Sequence, residues 1–371
     1  MYKELIDLSK FQVAPNHWDT IKLLVAIKSF NLQAIRKRYL ASQKRSKTGS
    51  VERRNPSLGG IAYLEIKKGN IIRKEMLARL KEPRGIDYKK KLLAISSENK
   101  IYVFNIGREK VNTIKHNWFS YIHTVKFNQN CHKLLIASSG VDTIMEFDLE
   151  KKKLDWQWLA WEEGFNTGIN PQTGKKHVLT RSPQKAKLLE KENINNILIT
   201  NPQKKNLPTA LRAAFINSAE YFDDNKILLT LFHEGKLIQI EKKSKKMTTI
   251  ISGLNKPHGG MRFSNYYLIT DTATGHVIVK NQNKQLNYNF RNLSGKCDIV
   301  GDFEWLQTSH SYNDSVITID SNRNNFTIYN PKIKKINQVF YNKNWAVQDF
   351  VILDNINSDE LGLVKRFFNK K

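Results

Sequence analysis

The sequence predicts an all-β chain folded as a β-propeller, and three observations carry that prediction. Short β-rich hairpins recur, their starts are spaced by about 40 to 50 residues, and a lone hairpin of this kind cannot bury both of its faces. The copies are residues 92–105, 134–148, 227–241, 267–280 and 316–330. Each is a β-branched or leucine-rich strand, a tight polar turn, and a second strand that ends on a polar residue. Four-stranded blades have this spacing.

The elements between the copies follow in order. The step from 134 to 227 is about two periods long. Its middle, at about 160–207, is polar with one short apolar run at 196–200, and reads as a long lid-like insertion or a degenerate blade. Residues 60–66 and 71–77 at the front, and 347–353 at the back, each make less than a blade. Together they complete one and close the ring. The expectation is six blades, or seven if the insertion is itself a blade.

Residues 1–57 have a different pattern. Trp18, Ile21, Leu24, Ala26, Ile27, Phe30, Leu32 and Ile35 recur at three- and four-residue steps, which predicts a helix over 17–45. Lys22, Lys28, Arg36, Lys37 and Arg38 make it basic, and 44–54 form a basic linker. Such a helix can lie on a membrane surface or dock on a partner, or simply pack on the main domain. The expected division is a basic helical extension and linker at 1–57, then a propeller at 58–371.

Composition narrows the function classes. The 371 residues carry 61 Lys+Arg against 34 Asp+Glu, a formal charge of +27, and are 40% hydrophobic. That is too apolar for wholesale disorder. Cys131 and Cys297 cannot build a disulfide framework or a multi-cysteine zinc site. No apolar run is long enough to span a bilayer as a helix, and the first ten residues lack a signal-peptide h-region. A cytoplasmic protein is expected, peripheral to a membrane if residues 17–45 meet one. The lysines are scattered over turns, as at 89–91, 151–153 and 242–246. A nucleic-acid module would interleave aromatics with clustered arginines, and that pattern is absent. The basic surface suits an anionic small molecule or glycan, and a plain solvated surface also accounts for it.

Several motifs resemble a known group. The run Thr143-Ile144-Met145-Glu146-Phe147-Asp148 followed by Asp155-Trp156-Gln157-Trp158 is similar to blade endings of arylsulfotransferase-like propellers. So is Phe215-Ile216-Asn217-Ser218-Ala219 with the hairpin that ends at 235–241. Leu254-Asn255-Lys256-Pro257-His258-Gly259-Gly260 resembles the Pro-His-Gly step of that group and of NHL-type propellers, with Pro83-Arg84-Gly85-Ile86-Asp87 a weaker version. The resemblance spans roughly residues 80–310 and implies architecture more than chemistry. In the family a His stands two residues before the Asn of His-x-Asn-Ser. This chain has Phe215 there, so sulfotransfer is not carried over.

In a propeller the innermost strands line a central channel. Counting back about ten residues from each hairpin lands on His123, Asn217 and His258, on Asp302 or Glu304 in the fifth copy, on Asp349 in the closing blade, and on Arg84 or Asp87 in the first. His123, Asn217, His258, Asp302, Asp349 and Arg84 are the candidate ligand-binding residues. His123, Asn217, His258 and Asp302 could hold a divalent metal, since imidazole, carboxylate and amide oxygen are all ligand types. A metal could polarise a carbonyl or activate water, and His123 or His258 could act as general base. Equally, these residues could cap and cross-link adjacent strands. His233 and His276 fall in turns, and Trp156, Trp158 and Trp161 read as packing between blades. Two function classes follow: a ligand- or partner-binding propeller, or a metal-dependent hydrolase or lyase with an axial His/Asn/Asp site.

Overall fold

A computed structural model describes every residue except 1, 46, 53, 54, 206, 355, 357, 358, 370 and 371. Six antiparallel meanders of four strands dominate it. Sheet I is Ile86–Lys89, Leu92–Ser97, Lys100–Asn105 and Lys110–Lys115. Sheet II is Ile122–Phe127, Lys133–Ser138, Thr143–Asp148 and Lys153–Leu159. Sheet III is Ile216–Tyr221, Lys226–Leu231, Lys236–Glu241 and Met247–Ile251. Sheet IV is Pro257–Phe263, Tyr266–Asp271, His276–Lys280 and Lys284–Asn289. Sheet V is Leu306–Tyr312, Ser315–Asp320, Asn325–Asn330 and Lys335–Phe340.

Sheet VI joins the two ends of the chain: Ala346–Ile352 is its first strand, followed by Ile21–Ser29, Leu58–Lys67 and Asn70–Lys81. The first strands of sheets I to VI touch one another in turn, and that of sheet VI touches that of sheet I. The architecture is a β-propeller. Each sheet is covered on both faces by its neighbours, so inner strands read as continuous apolar runs instead of alternating ones. Leu228 and Leu229 are consecutive, point to opposite faces, and are both fully buried.

The same logic corrects the expected N-terminal helix over 17–45. Residues Ile21–Ser29 are a strand, paired on one side with Ala346–Ile352 and on the other with Leu58–Lys67. The run Leu23-Leu24-Val25-Ala26-Ile27 is fully buried on both faces. An apolar run with no polar face satisfies a helical template by accident; its β-branched members and two-sided burial favour a strand. Only Leu32–Gln43 is helical (α1), capped by Asn31, whose Oδ1 accepts from the Ala34 amide at 3.0 Å. The middle of that apolar stripe, Ile21 to Ile27, therefore lies inside sheet VI. Among the described residues no helix is long and apolar enough to cross a membrane.

The rest of the N-terminus forms a strap. Tyr2–Asp7 pairs in parallel with Lys284–Asn289 on the outer edge of sheet IV, and Gln12–Val13 pairs with Lys335 and Ile336 on sheet V. Leu8 and Phe11 between them are buried in the core that sheets IV and V share. Residues 160–215 contain a three-stranded sheet (Thr167–Ile169, Lys176–Thr180, Asn196–Leu198) and the helix α2, Pro183–Lys191. Ile199 and Leu207 join Trp158 and Trp161 in one core with sheets II and III, so those tryptophans pack and do not form a platform. The C-terminal helix α3, Gly362–Asn369, sets Phe367 and Phe368 against Tyr102 and Phe104 of sheet I.

Candidate functional site

One local feature recurs at the head of the inner strands. In five of the six sheets the ladder between first and second strand slips near its start. The skipped residues are His123, Asn217, the pair Gly259 and Gly260, the pair Gln307 and Thr308, and Gln348. A bulge re-aims the extra side chain and frees its backbone from the ladder. Tyr121 and Phe215, just before two of these strands, have φ of 58° and 48°, a strained region for aromatic residues. At the Pro-His-Gly-Gly step Gly259 is favoured by its backbone conformation, and both glycines sit close against neighbouring side chains. A Cβ on Gly259, at φ +58°, would lie 2.9 Å from Thr308 Cγ2, and one on Gly260 would lie 2.3 Å from Leu237 Cδ1. The Gly260 amide donates to Thr230 Oγ1 at 3.0 Å. Part of the polar ring thus cross-links neighbouring strands.

The remainder faces a cavity. A volume of about 160 Å³ lies at one mouth of the channel, between the inner-strand heads and residues 35–42 and 48–50. Lys28, Arg38 and Arg84 are its charged residues; Tyr39, Tyr121, Phe215, Phe232 and Trp305 are its aromatic ones. Among the described residues no Asp or Glu lines it. Arg84 is 4% exposed. Its Nη2 meets Glu82 at 3.2 Å, its guanidinium stacks 3.9 Å from the Tyr121 ring centre, and its buried Nε has no hydrogen-bond partner among the described residues. Lys28 Nζ donates to Gln348 Oε1 at 2.8 Å, and Gln348 Nε2 donates to Gln307 Oε1 at 3.2 Å. Lys28 also sits 5.4 Å from the Trp305 ring centre.

The two histidines of the cavity are both pushed towards the neutral form. His123 Nδ1 lies 3.1 Å from Asn217 Oδ1 and 3.3 Å from the Asn217 carbonyl. Those are acceptors, so Nδ1 carries the hydrogen, and Nε2 accepts from Arg84 Nη1 at 3.4 Å. Burial, then Arg84 and Arg212, push its pKa well below the usual histidine value. His258 Nδ1 faces the Lys256 carbonyl at 3.2 Å and Thr272 Oγ1 at 2.7 Å. Burial, with Lys28 beside it, lowers His258 to about 3. A base of that strength takes protons poorly near neutral pH, so neither imidazole suits the general-base role expected for it. Each is instead a neutral hydrogen-bonding group at the cavity wall.

The sequence-derived set is therefore divided. Arg84, His123 and His258 line the cavity, and Asn217 orients His123 from behind, its Nδ2 buried without a partner among the described residues. Asp302 does not join them. It is exposed, with its carbonyl accepting from Arg291. Glu304, two residues on, is buried but bonded to Lys296 and Asn322. The residue of that inner strand that lines the cavity is Gln307, nine residues before Val316. Asp349 takes part at a second, water-sized space of about 20 Å³ deeper in the channel, with His310 at 2.9 Å, Lys126 and Glu220. There burial and the charges of Asp87 and Asp349 push Glu220 up to about 7, although Lys126 opposes them. Gln348, one residue before Asp349, is the member of that strand that reaches the cavity. Among the described residues no group of three or more His, Cys, Asp or Glu is arranged to hold a metal ion, and His123, His258 and Asp302 do not converge.

Other residues had no sequence signal. Lys28, Tyr39 and Trp305 reach the site from sheet VI, α1 and a loop. His233, expected in an outward-facing turn, is wedged between the carbonyls of Arg212 and Thr48 and the ring of Phe215.

No protein-family model matches the chain, and no curated protein matches it in sequence. Many solved structures share its fold. One, described as a nidogen/laminin complex, aligns with a TM-score of 0.53 at 11% identity, over 90% of this chain and 98% of that one. A protein of unknown function from Bacteroides caccae gives 0.53 at 10% identity, over 91% and 100%. Virginiamycin B lyase from Staphylococcus aureus gives 0.44 at 9% identity, over 75% and 86%. At these identities the first two define the class, a β-propeller, and nothing narrower.

Proposed function

We propose that this chain is a six-bladed, ligand-binding propeller whose channel mouth takes an anionic small molecule. Sheets I to VI are the blades, and the three-stranded sheet is an insertion between the second and third. The observation that carries the ligand class is the lining of the 160 Å³ cavity: three cationic side chains, two neutral imidazoles and no carboxylate among the described residues. A cationic cavity walled by protein has a low effective dielectric, which strengthens attraction for an anion relative to open solvent. Arg84 supplies a donor already desolvated and fixed by stacking on Tyr121, so little freedom is lost when it binds. Aromatic walls favour a ligand with an apolar or ring portion beside its charge.

Isothermal titration tests this with inorganic phosphate, benzoate and glucose as probes, on the wild type and on Arg84→Gln. The proposal requires saturable binding of at least one anion, none of glucose alone, and a roughly tenfold or greater loss in the variant. Equal heats for wild type and variant with every probe would remove its basis.

A further inference from the structure

We propose a second binding surface: the groove between the outer parts of sheets I and II is a dock for an extended acidic peptide that adds a strand to Lys110–Lys115. The chain contains its own precedent. Between sheets IV and V the N-terminal strap lays Tyr2–Asp7 along the edge strand Lys284–Asn289, then drops Leu8 and Phe11 into the core below. The groove between sheets I and II has the same construction and holds no described segment of the chain. Its volume is about 760 Å³.

The equivalence is one of register. Sheet IV pairs Asp271 with His276 across its central hairpin, and sheet I pairs Ser97 with Lys100. Counted from those pairs, Val103 stands where Val279 stands and Ile114 where Tyr288 stands. The edge strand Lys110–Lys115 matches Lys284–Asn289 residue for residue. Sheet V pairs Asp320 with Asn325, and sheet II pairs Ser138 with Thr143, which puts Phe147 at the place of Tyr329. Val279, Tyr288 and Tyr329 form the core that Leu8 and Phe11 complete. Val103, Ile114 and Phe147 line the groove, Ile114 partly exposed and Val103 and Phe147 each 5% exposed at its floor. Lys110–Lys115 is the outer strand of sheet I, so its far side offers backbone groups that no strand among the described residues takes.

The rim chooses the occupant. Arg108, Lys110, Lys115 and Lys152 line it, all exposed and without an ion pair among the described residues, against Asp148 and Glu150. An extended segment with acidic side chains and two apolar anchors spaced as Leu8 and Phe11 are spaced matches this charge and this shape.

The probe is a fluorescein-labelled peptide copying residues 2–13 with both lysines replaced by glutamate, YEELIDLSEFQV, added to the full chain. Anisotropy should show saturable binding at low salt. The exposed double variant Lys110→Glu/Lys115→Glu should lose it roughly tenfold or more. Hydrogen exchange should slow at 110–115 on binding. No saturation up to about 1 mM, equal affinity in the charge variant, or slowed exchange at 284–289 in place of 110–115 would each overturn the proposal.

Discussion

His123 Nδ1 lies 3.1 Å from Asn217 Oδ1, and both residues sit at ladder slips on adjacent inner strands. That contact fixes the tautomer of the imidazole and leaves Nε2 to accept from Arg84. Asn217→Ala should therefore free the ring without touching the cavity wall directly. The expected result is weaker anion binding at nearly unchanged stability beyond about 1 to 2 kcal/mol, the scale of one buried hydrogen bond. Calorimetry and denaturant unfolding separate the two, and unaltered binding would show that His123 needs no orienting partner.

Acid should destabilise the protein through His258. His258 has a folded pKa of about 3, below the ordinary value of about 6.5 expected when unfolded. A depressed histidine pKa means that the unfolded state takes up the proton first, so stability is complete above about pH 6.5 and is lost as pH falls towards 3. At pH 5 His258 alone should cost about 2 kcal/mol, and His258→Gln should flatten the profile by that amount. Identical pH–stability curves for variant and wild type would refute the burial argument.

Closure of the ring rests on the C-terminal strand. Phe350 is fully buried, 5.5 Å from the Phe326 ring and 4.6 Å from His310. Phe350→Ala should cost about 3 to 5 kcal/mol, because the ring of sheets cannot collapse onto the void without opening the joint. Denaturant midpoints measure this, and a loss under about 1 kcal/mol would argue that sheet VI contributes little to closure.

The cavity roof depends on Arg36. Its Nη2 donates to the carbonyls of Ser321 at 2.7 Å and Asn322 at 3.0 Å, fastening α1 to sheet V, while Tyr39 of the same helix stacks on Trp305. Arg36→Ala should loosen α1 and make residues 47–52 more sensitive to limited proteolysis, with the sheets intact. Unchanged cleavage would place the anchoring of α1 elsewhere.

Much of this was legible in the sequence. The five hairpins, the closure of front on back and the placing of residues 84, 123 and 258 around one cavity follow from one repeating address. What could not be read came from physics that a repeat does not encode. Ile21–Ser29 has no polar face, so its pattern fits helix and strand alike until its neighbours are known. Gln307 and Gln348 carry no charge and lack a motif, and only the ladder slips show that they are aimed inward. Lys28 and Trp305 come from outside the repeat heads and reach the cavity only through tertiary packing.

The most direct test of the proposed anion site is a nitrogen-edited NMR titration of the imidazoles of His123 and His258 with benzoate and phosphate at neutral pH. Both rings should begin as neutral Nδ1–H tautomers and shift saturably with an anion, and Arg84→Gln should abolish the shifts. Protonated rings at the start, or shifts that stay linear in anion concentration and persist in Arg84→Gln, would contradict an anion site built around Arg84 and two neutral histidines.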